Sequence, residues 1–334
     1  MICKGIILFL SLSFSLYISA NNSDEAIYTR SFIAMGSDFQ ITIITTSKQR
    51  ADSLLNLAYS EVDRIEKLIS SWDKHSETSR INENAGKSVQ KISGELYDLI
   101  FRSIKISILT QGAFDITFGS GNTDFWKFNP DVEFLPDDST VKSSLKLIGY
   151  DKIVLNPKDT SILLRHVGMK IGFGAIGKGY AADRVAAVLK SSQVKSGVIN
   201  AGGDIVCWGK QLSGNDWSIG IANPEMADLA FSYLKISDMA VVTSGNYEKY
   251  FIIDGVEYCH IIDPRTAMPV TNNVSSVTVI SRIGEFADAI ATAIFILGEE
   301  TGIYLVDDVE DLECLILLKD GRIITSRGID LEHD

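Results

Sequence analysis

One glycine-rich stretch in the middle of the chain decides how the rest is interpreted: Gly172-Phe173-Gly174-Ala175-Ile176-Gly177-Lys178-Gly179-Tyr180-Ala181-Ala182-Asp183. Four glycines fall within eight residues, and apolar residues at helical spacing follow at once, at Ala182, Val185, Ala186 and Leu189. This pattern predicts a glycine-rich loop that opens a helix. Such a loop lets a phosphate group approach backbone N–H groups at the positive end of the helix dipole, with Lys178 as an added cation.

The glycine pattern alone leaves two interpretations open. The loop is not a Walker A motif, because Lys178 is followed by Gly179 rather than by Ser or Thr. Its glycine spacing also departs from Gly-x-Gly-x-x-Gly. A tight strand-to-helix turn that binds no ligand explains the glycines as well as a phosphate site does.

The composition is that of an acidic globular protein. Of the 334 residues, 46% are hydrophobic and 22% are charged, and the formal net charge at pH 7 is -12. No block rich in lysine or arginine occurs, so we expect no nucleic-acid partner, since such partners require a basic surface. An acidic protein can still bind a phosphate ligand in a local basic or metal-bearing pocket.

Residues 1–20 have the features of a secretory signal peptide. Lys4 precedes a short apolar run, and the small residue Ala20 precedes a polar segment. The run is at the short end for a membrane span, which leaves an uncleaved anchor as the alternative. Residues 21–30 look like a linker. The sequence therefore predicts an exported protein with a single domain over residues 31–334.

Helical and strand periodicities occupy different parts of the chain. We predict helices over residues 51–70, 94–110, 136–147, 286–297 and 301–306, besides the helix after the glycine loop. We predict a polar loop over residues 71–86 and strands over residues 32–45, 153–155, 162–165, 197–200, 204–208, 217–221, 231–236, 239–243, 250–253, 258–262, 274–280, 315–318 and 323–325. Early helices, late strands and the lack of regular βαβ alternation predict an α+β fold with mixed or antiparallel sheets and flanking helices.

An acidic residue interrupts the otherwise apolar helix near the C-terminus. Asp288 and Thr292 are four residues apart, so they lie on one face of that helix. A buried carboxylate needs a partner, and a hard divalent cation such as Mg²⁺ would accept both side-chain oxygens. The alternative is structural: Asp288 caps the helix and Thr292 bonds to the carbonyl one turn earlier.

Three further motifs follow predicted strands. His260, one of four histidines, is a candidate for proton transfer near neutral pH, with Asp263 as a candidate orienting group. Asp204 could bond to a ligand hydroxyl or simply close a turn. Thr243 and Ser244 could bind phosphate or supply a nucleophile, although no Gly-x-Ser-x-Gly elbow surrounds them. Each motif also has a purely structural interpretation.

These motifs occur in the order found in one protein family, the ApbE-type FAD:protein FMN transferases. The chain resembles that family from about Arg30 to the C-terminus. The matching blocks are residues 35–37, 71–82, 112–117, 174–183, 200–204, 243–247, 260–269 and 287–292. One block would be weak support, whereas all of them in register indicate membership.

The resemblance implies an ApbE-like fold that binds FAD and Mg²⁺. By this resemblance the side chains of Asp288 and Thr292 and the carbonyl of Ala175 are the predicted metal ligands. The residues predicted to contact FAD are Met35, Trp72, Ala113, Phe114, Asp115, Lys178 and Ile262. Two departures are visible: Gly172 stands where the family often has aspartate, and Trp72 stands where it often has tyrosine, which preserves stacking on FAD.

The resemblance also implies a reaction and a place for it. The family transfers FMN from FAD to a Thr or Ser hydroxyl of a target protein and releases AMP, so the predicted catalytic residues are His260 and Asp288. The implied acceptors are flavoprotein subunits of membrane redox complexes. This agrees with export to the periplasm or to the outer face of the cytoplasmic membrane, and it allows peripheral association with the membrane. Cys3 precedes the apolar run, so the lipoprotein cysteine of many members is missing, which favours a soluble exported form.

Two other functions would use the same residues. A Mg²⁺-dependent FAD pyrophosphatase would have water in place of the protein hydroxyl and would yield FMN and AMP. A non-catalytic exported FAD-binding protein would need no metal at the pyrophosphate, so the joint presence of Lys178, Asp288 and Thr292 argues against it. Transfer and hydrolysis both stay open on the sequence.

Overall fold

The structure is a computed structural model that describes residues 25–120, 137–222, 230–245, 250–253 and 256–329, so the predicted signal peptide lies outside it. The elements before the glycine loop are β1 (Ala26–Ala34), β2 (Ser37–Thr45), α1 (Lys48–Ile69), α2 (Glu77–Glu83), β3 (Gln90–Lys91), α3 (Gly94–Leu109), α4 (Asp138–Leu145), β4 (Ile153–Asn156) and β5 (Ser161–Leu164). After it come α5 (Gly177–Ser191), β6 (Gly197–Ala201), β7 (Asp204–Trp208), β8 (Trp217–Ala222), β9 (Ala230–Ile236), β10 (Met239–Gly245), β11 (Tyr250–Ile253), β12 (Val256–Cys259), β13 (Ile262–Asp263), β14 (Met268–Pro269), β15 (Val274–Ser281), α6 (Gly284–Leu297), α7 (Glu299–Asp307), β16 (Leu312–Leu318) and β17 (Ile323–Thr325).

Eight strands form one sheet in the order β1-β2-β6-β7-β10-β15-β16-β17. Distant parts of the chain meet in it: Phe39 of β2 lies opposite Ala201 of β6, and Val206 of β7 lies opposite Ala240 of β10. Within the described residues every strand pairing is antiparallel, including those of the small sheets β3-β5-β4, β8-β9, β11-β12 and β13-β14. The predicted α+β class with antiparallel sheets and flanking helices is confirmed.

Helices cover one face of the large sheet, and the β8–β9 hairpin covers part of the other. Helix α6 packs on β10 and β15, and α5 packs between α6, α1 and strand β7. Small buried side chains such as Ala289 and Ala293 let α6 pack closely against the sheet. On the opposite face Ile219 of the hairpin packs with Val241 and Ile280. This arrangement places the start of α5 beside the β6–β7 turn and against the first turn of α6.

The first four helices follow the sequence prediction closely, apart from α2. Each begins at a side chain that accepts a hydrogen bond from a backbone N–H of its own first turn: Ser47 for α1, Ser76 for α2, Ser93 for α3 and Asp137 for α4. Among the described residues, no helix is both long and apolar enough to cross a bilayer.

Three local predictions are wrong. Residues 32–45 are not one strand, because Met35 and Gly36 have φ angles of 52° and 72° and turn the chain into the β1–β2 hairpin. The predicted linker extends too far, since Ala26 already pairs with Thr45. The polar segment 71–86 is not all loop: it contains α2, a helix of seven residues that is too short to show apolar periodicity.

Candidate active site

The first turns of α5 and α6 touch, and two glycines make this contact possible. A Cβ atom on Gly179 would lie 2.2 Å from the carbonyl oxygen of Gly284, and one on Gly284 would lie 3.1 Å from the oxygen of Gly179. A side chain at Gly179 would therefore push the helices apart. By contrast, a Cβ on Gly174 would meet no atom within 4 Å. Gly179 is thus explained by helix packing rather than by a phosphate cradle.

Asp288 lies at this helix contact and is 4% exposed. The N–H of Gly179 donates to Oδ2 of Asp288 at 3.1 Å, so a side chain of α6 bonds to the first turn of α5. Burial raises the pKa of the Asp288 carboxyl, while the charge of Lys178 and the N–H of Gly179 oppose that shift.

A second buried carboxyl group, that of Asp204, lies beside Asp288. Nζ of Lys178 is 3.2 Å from Oδ2 of Asp204, which is 1% exposed. Burial and the charge of Asp288 hold the pKa of Asp204 well above its ordinary value, against the opposing charge of Lys178. Asp204 also closes a tight turn, since Gly202 and Gly203 have φ angles of 62° and 98°. Its position is therefore set by the turn, and its charge partner is Lys178.

Thr292 follows Asp288 by one turn of α6 and is half-buried. Its Oγ1 lies 3.2 Å from Oγ of Ser244 on β10, within hydrogen-bonding distance. Thr243 has a different partner, because its Oγ1 lies 2.9 Å from Oγ1 of Thr278. Of the two hydroxyls that the sequence singled out on β10, Ser244 is therefore the one at this site; residues 246 and 247 of that block lie outside the described part of the chain.

Two hairpin turns pack against the start of α5. Cε of Met35, in the β1–β2 turn, would lie 3.5 Å from a Cβ on Gly177. In the β6–β7 turn, a Cβ on Gly202 would lie 2.7 Å from Cβ of Ser37 and 3.6 Å from Cδ of Lys178. The structure thus places Met35, Lys178 and Asp288 around the start of α5, with Thr292 one turn further along α6.

The remaining predicted flavin contacts belong to segments that meet at the other end of the glycine loop. The side chain of Asn82 on α2 donates to the carbonyl of Ile171 at 2.9 Å and accepts from its N–H at 2.7 Å. The N–H of Gly172 donates to the carbonyl of Ile116 at 2.8 Å. These bonds attach α2 and the segment 113–117 to the residues just before α5.

Trp72 projects from the loop between α1 and α2 and is 95% exposed. Its neighbour Ser71 faces the glycine loop, since Oγ of Ser71 would lie 3.7 Å from a Cβ on Gly172. That distance is an ordinary contact, so packing does not require glycine at position 172. The indole ring of Trp72 is therefore available to stack on a ligand beside this loop.

The predicted flavin segment Ala113, Phe114 and Asp115 is buried. Oδ1 of Asp115 accepts hydrogen bonds from the N–H and the hydroxyl of Thr117, both at 2.7 Å, and its Oδ2 accepts one from the N–H of Tyr150 at 2.8 Å. Burial raises the pKa of Asp115 against these bonds. The carboxylate holds its own turn together, and contact of this segment with FAD stays a prediction.

His260 and Ile262 lie where β12 passes into β13. Ile262 is buried and His260 is half-buried. The carboxylate of Asp263, the candidate orienting group, accepts from Nε of Arg265 at 2.9 Å and from its Nη2 at 2.8 Å. Cγ of Arg265 would lie 3.6 Å from a Cβ on Gly112, which places this turn beside the segment 113–115. Proton transfer by His260 stays a prediction.

The residues around Asp288 suit a hard divalent cation. Among the described residues no three His, Cys, Asp or Glu side chains are grouped to hold a metal ion. Mg²⁺ often takes only one or two carboxylates and completes its shell with water and phosphate oxygens. Its binding by Asp288, Thr292 and the Ala175 carbonyl stays a prediction. Asp204 and Asp288 both interact with the ammonium of Lys178, so ionisation of both carboxyl groups would leave one negative charge that a cation could offset.

Comparison with known proteins decides the family. The family model described as ApbE matches residues 35–316. This chain belongs to the ApbE family. A protein of Klebsiella pneumoniae (strain 342) named FAD:protein FMN transferase is 32% identical to it over 305 residues, which are 91% of this chain and 93% of that protein. The predicted family is confirmed.

Solved ApbE structures share the fold of this ApbE-family chain. The crystal structure of the ApbE protein from Thermotoga maritima has a TM-score of 0.81 and 31% identity, and it covers 90% of this chain and 97% of its own. The flavin transferase ApbE from Vibrio cholerae also has a TM-score of 0.81, with 26% identity, over 91% of this chain and 98% of its own. The predicted ApbE-like fold is confirmed.

In this ApbE-family chain, sequence reasoning left two residues of the site undecided. Asp204 was a candidate for either a ligand contact or a turn, and its pairing with Lys178 appears only when β7 meets α5. Ser244 was one of two candidate hydroxyls. Because side chains alternate along β10, Ser244 faces Thr292 whereas Thr243 faces Thr278. Their position in the sequence could have indicated a role in the site. Both polar residues adjoin a glycine at the end of a strand, where functional side chains are often found.

Proposed function

We propose that this chain transfers FMN from FAD to a Thr or Ser hydroxyl of a flavoprotein, in a Mg²⁺-dependent reaction that releases AMP. The names of its relatives support flavin transfer to protein and enzymatic function as a transferase. Mg²⁺ dependence and AMP release are supported by the charged residues Lys178, Asp204 and Asp288 near the starts of α5 and α6.

The observation that carries the proposal is the buried pairing of Lys178 with Asp204 next to Asp288. A pyrophosphate bound there would face a fixed ammonium from Lys178. It would also lie near the carboxylate and hydroxyl oxygens of Asp288 and Thr292, which suit a cation. Anionic phosphates and a hard cation are the two components that this mixed set of charges can hold together.

In the proposed reaction the oxygen of the acceptor hydroxyl forms a bond to the FMN-side phosphorus, and the bond from that phosphorus to the bridging oxygen breaks. AMP leaves with the bridging oxygen, and the hydroxyl proton passes to an imidazole nitrogen of His260. Lys178, held by Asp204, places positive charge at the pyrophosphate. Mg²⁺, when bound, would neutralise charge on the phosphoryl oxygens and on the leaving group.

Export and the nature of the acceptor belong to the same proposal. The charged and apolar pattern of residues 1–20 supports export to the periplasm or to the outer face of the cytoplasmic membrane. Acceptors would then be flavoprotein subunits of membrane redox complexes. Mass measurement of the N-terminus of the protein isolated from its native host tests this: an uncleaved, cytoplasmic chain would contradict export.

The transfer reaction is tested by incubating the protein with FAD, Mg²⁺ and an acceptor domain that carries a Ser/Thr-Gly-Ala-Ser/Thr segment. We expect the acceptor to gain the mass of an FMN phosphoester, with AMP released in equal amount, and EDTA to abolish both. Release of AMP and FMN without acceptor labelling would indicate a pyrophosphatase, and unchanged FAD would indicate a binding protein.

A substitution at Asp288 tests its assignment as a metal ligand. Asp288→Ala should abolish Mg²⁺-dependent transfer, whereas Asp320→Ala, at an exposed carboxylate remote in sequence from the site, should leave it unchanged. Full activity of Asp288→Ala with Mg²⁺ present would refute the assignment of Asp288 as a metal ligand. Circular dichroism of both variants checks that the fold is retained.

A further inference from the structure

Helices α5 and α6 begin without a cap of their own. The residues at their N-cap positions are Ile176 and Ile283, and neither helix receives a side-chain hydrogen bond from its cap residue. This distinguishes them from α1 to α4, each of which has a local Ser or Asp cap. The exposed N–H groups of a first helical turn need acceptors, so α5 and α6 must obtain them elsewhere.

Each of the two helices is capped by an aspartate of the other. Asp288 of α6 accepts from the N–H of Gly179 in the first turn of α5, at 3.1 Å. Asp183 of α5 accepts from the N–H groups of Gly284 and Glu285 in the first turn of α6, at 3.0 and 2.8 Å. The caps are exchanged between neighbours in space.

The exchange depends on the glycine contact between the helices. Because Gly179 and Gly284 carry no side chain, the two backbones approach closely enough for an aspartate of one helix to reach the N–H groups of the other. A Cβ on Gly284 would lie 2.9 Å from Oδ1 of Asp183, so the same glycine also makes room for the cap.

We infer that Asp183 is a positioning residue for the metal site: by capping α6 it fixes Asp288 and Thr292 relative to Ala175 and to Lys178 at the start of α5. The inference rests on the proposed function, because it concerns the same cation. Asp183 fixes the first turn of α6 through two bonds, and Asp288 and Thr292 follow on the next turns of that helix. Without this cap, the start of α6 would be held to α5 by the bonds that Asp288 accepts from the first turn of α5, among them the bond from the N–H of Gly179.

Loss of the Asp183 cap should lower the affinity for the cation markedly and the melting temperature only slightly. Partners that orient metal ligands typically contribute about 10–100-fold to metal affinity. Asp183→Asn keeps the size of the side chain and one acceptor oxygen, so it should lose less affinity than Asp183→Ala. Asp137→Asn makes the same chemical change at the local cap of α4 and serves as the matched control.

The test is titration of the full chain with Mn²⁺ in the presence of FAD, followed by electron paramagnetic resonance of the free ion, with melting temperatures measured in parallel. We expect Asp183→Asn to weaken Mn²⁺ binding by about 10-fold or more, and Asp137→Asn to leave it unchanged. We also expect a high Mg²⁺ concentration to restore transfer by Asp183→Asn but not by Asp288→Ala.

The outcomes separate this inference from the proposed function. Equal Mn²⁺ affinity for Asp183→Asn, Asp137→Asn and the unaltered protein would overturn the positioning role of Asp183 while leaving the metal site in place. Failure of the unaltered protein to bind Mn²⁺, or unchanged binding by Asp288→Ala, would overturn the metal site and the inference with it. If Asp183→Ala does not fold, Asp183→Asn decides the question.

Discussion

Nζ of Lys178 lies 3.2 Å from Oδ2 of Asp204, although these residues belong to different elements, α5 and β7. The carboxyl group of Asp204 is almost inaccessible to water, and that of Asp288 adjoins it. Burial and the charge of Asp288 raise the cost of ionising Asp204, and the ammonium of Lys178 lowers it. A cation bound beside the two carboxyl groups, as we propose, would lower the cost of ionising both.

The first prediction concerns Asp204→Asn. The change removes one of the two buried acids and keeps the size of the side chain. We expect the melting temperature in EDTA to equal or exceed that of the unaltered protein, and the rise in melting temperature on adding Mg²⁺ and FAD to be smaller. Thermal unfolding with and without Mg²⁺ checks both. A large loss of stability in EDTA would mean that the ion pair with Lys178 outweighs the repulsion between the acids.

A pair of glycine substitutions tests the helix contact. Gly179→Ala would place Cβ 2.2 Å from a backbone oxygen of α6, whereas Gly174→Ala would meet no atom within 4 Å. We expect Gly179→Ala to lower the free energy of unfolding by about 1–3 kcal/mol or more, since overpacking forces the backbone to shift. Gly174→Ala should change it by less than about 0.5 kcal/mol, as is usual where no contact is altered. Equal urea midpoints for the two variants would contradict the close approach of α5 and α6.

Substitutions at Trp72 test whether its exposed ring contacts the flavin nucleotide. The side chain is 95% exposed, so Trp72→Ala should leave the melting temperature unchanged. If the ring stacks on FAD, its removal should raise KM for FAD by about 5–10-fold, corresponding to roughly 1 kcal/mol of aromatic stacking. Trp72→Phe should retain most of the affinity. Identical KM values for the Ala and Phe variants would show that no stacking occurs at this position.

Asp183 should make stability depend on pH. Burial raises its pKa from 3.8 to about 6, against the opposing N–H bonds from Glu285 and Gly284. Between these two values the folded protein binds a proton that the unfolded chain does not, so this group stabilises the fold at low pH and loses that contribution as pH rises through the window.

The measurement for this prediction is urea unfolding in EDTA across that pH window, for the unaltered protein and for Asp183→Asn. Because the amide does not titrate, the stability of the unaltered protein relative to the variant should fall with rising pH, by at most about 1.4 kcal/mol per pH unit. Parallel stability curves for the two proteins would place the pKa of Asp183 near its ordinary value.

Helices and strands that bury one face could be predicted from the sequence, because their apolar residues recur with the period of the element. The stripe on α1 that includes Ala58, Val62 and Ile65 has helical period, and all three side chains are fully buried. The same periodicity could not find the turn at Met35, because positive φ at a non-glycine residue has no apolar signature. Nor could it find α2, whose seven residues span about two turns.

The sequence gives candidate residues for the site but not their spatial arrangement. The spacing of Asp288 and Thr292 placed both on one helix face, and the resemblance of several blocks to one family joined them to Lys178. The partners of these residues depend on tertiary packing: Asp204 reaches Lys178 from a turn between strands, and Asp183 reaches α6 from α5. No local rule gives a contact between elements that are far apart in the chain.

The register of the large sheet has a consequence for how the protein acquires activity. Phe39 pairs with Ala201, and Val241 of β10 pairs with Ile280 of β15, so neighbouring strands are separated by long stretches of chain. Domains dominated by such non-local contacts fold in roughly milliseconds to seconds, because long loops must close before these non-local contacts form. A nascent polypeptide lacks Asp288 and Thr292 until α6 has been synthesised. The proposed cation site can thus form only late in synthesis, and a chain interrupted before α6 would present an incomplete sheet.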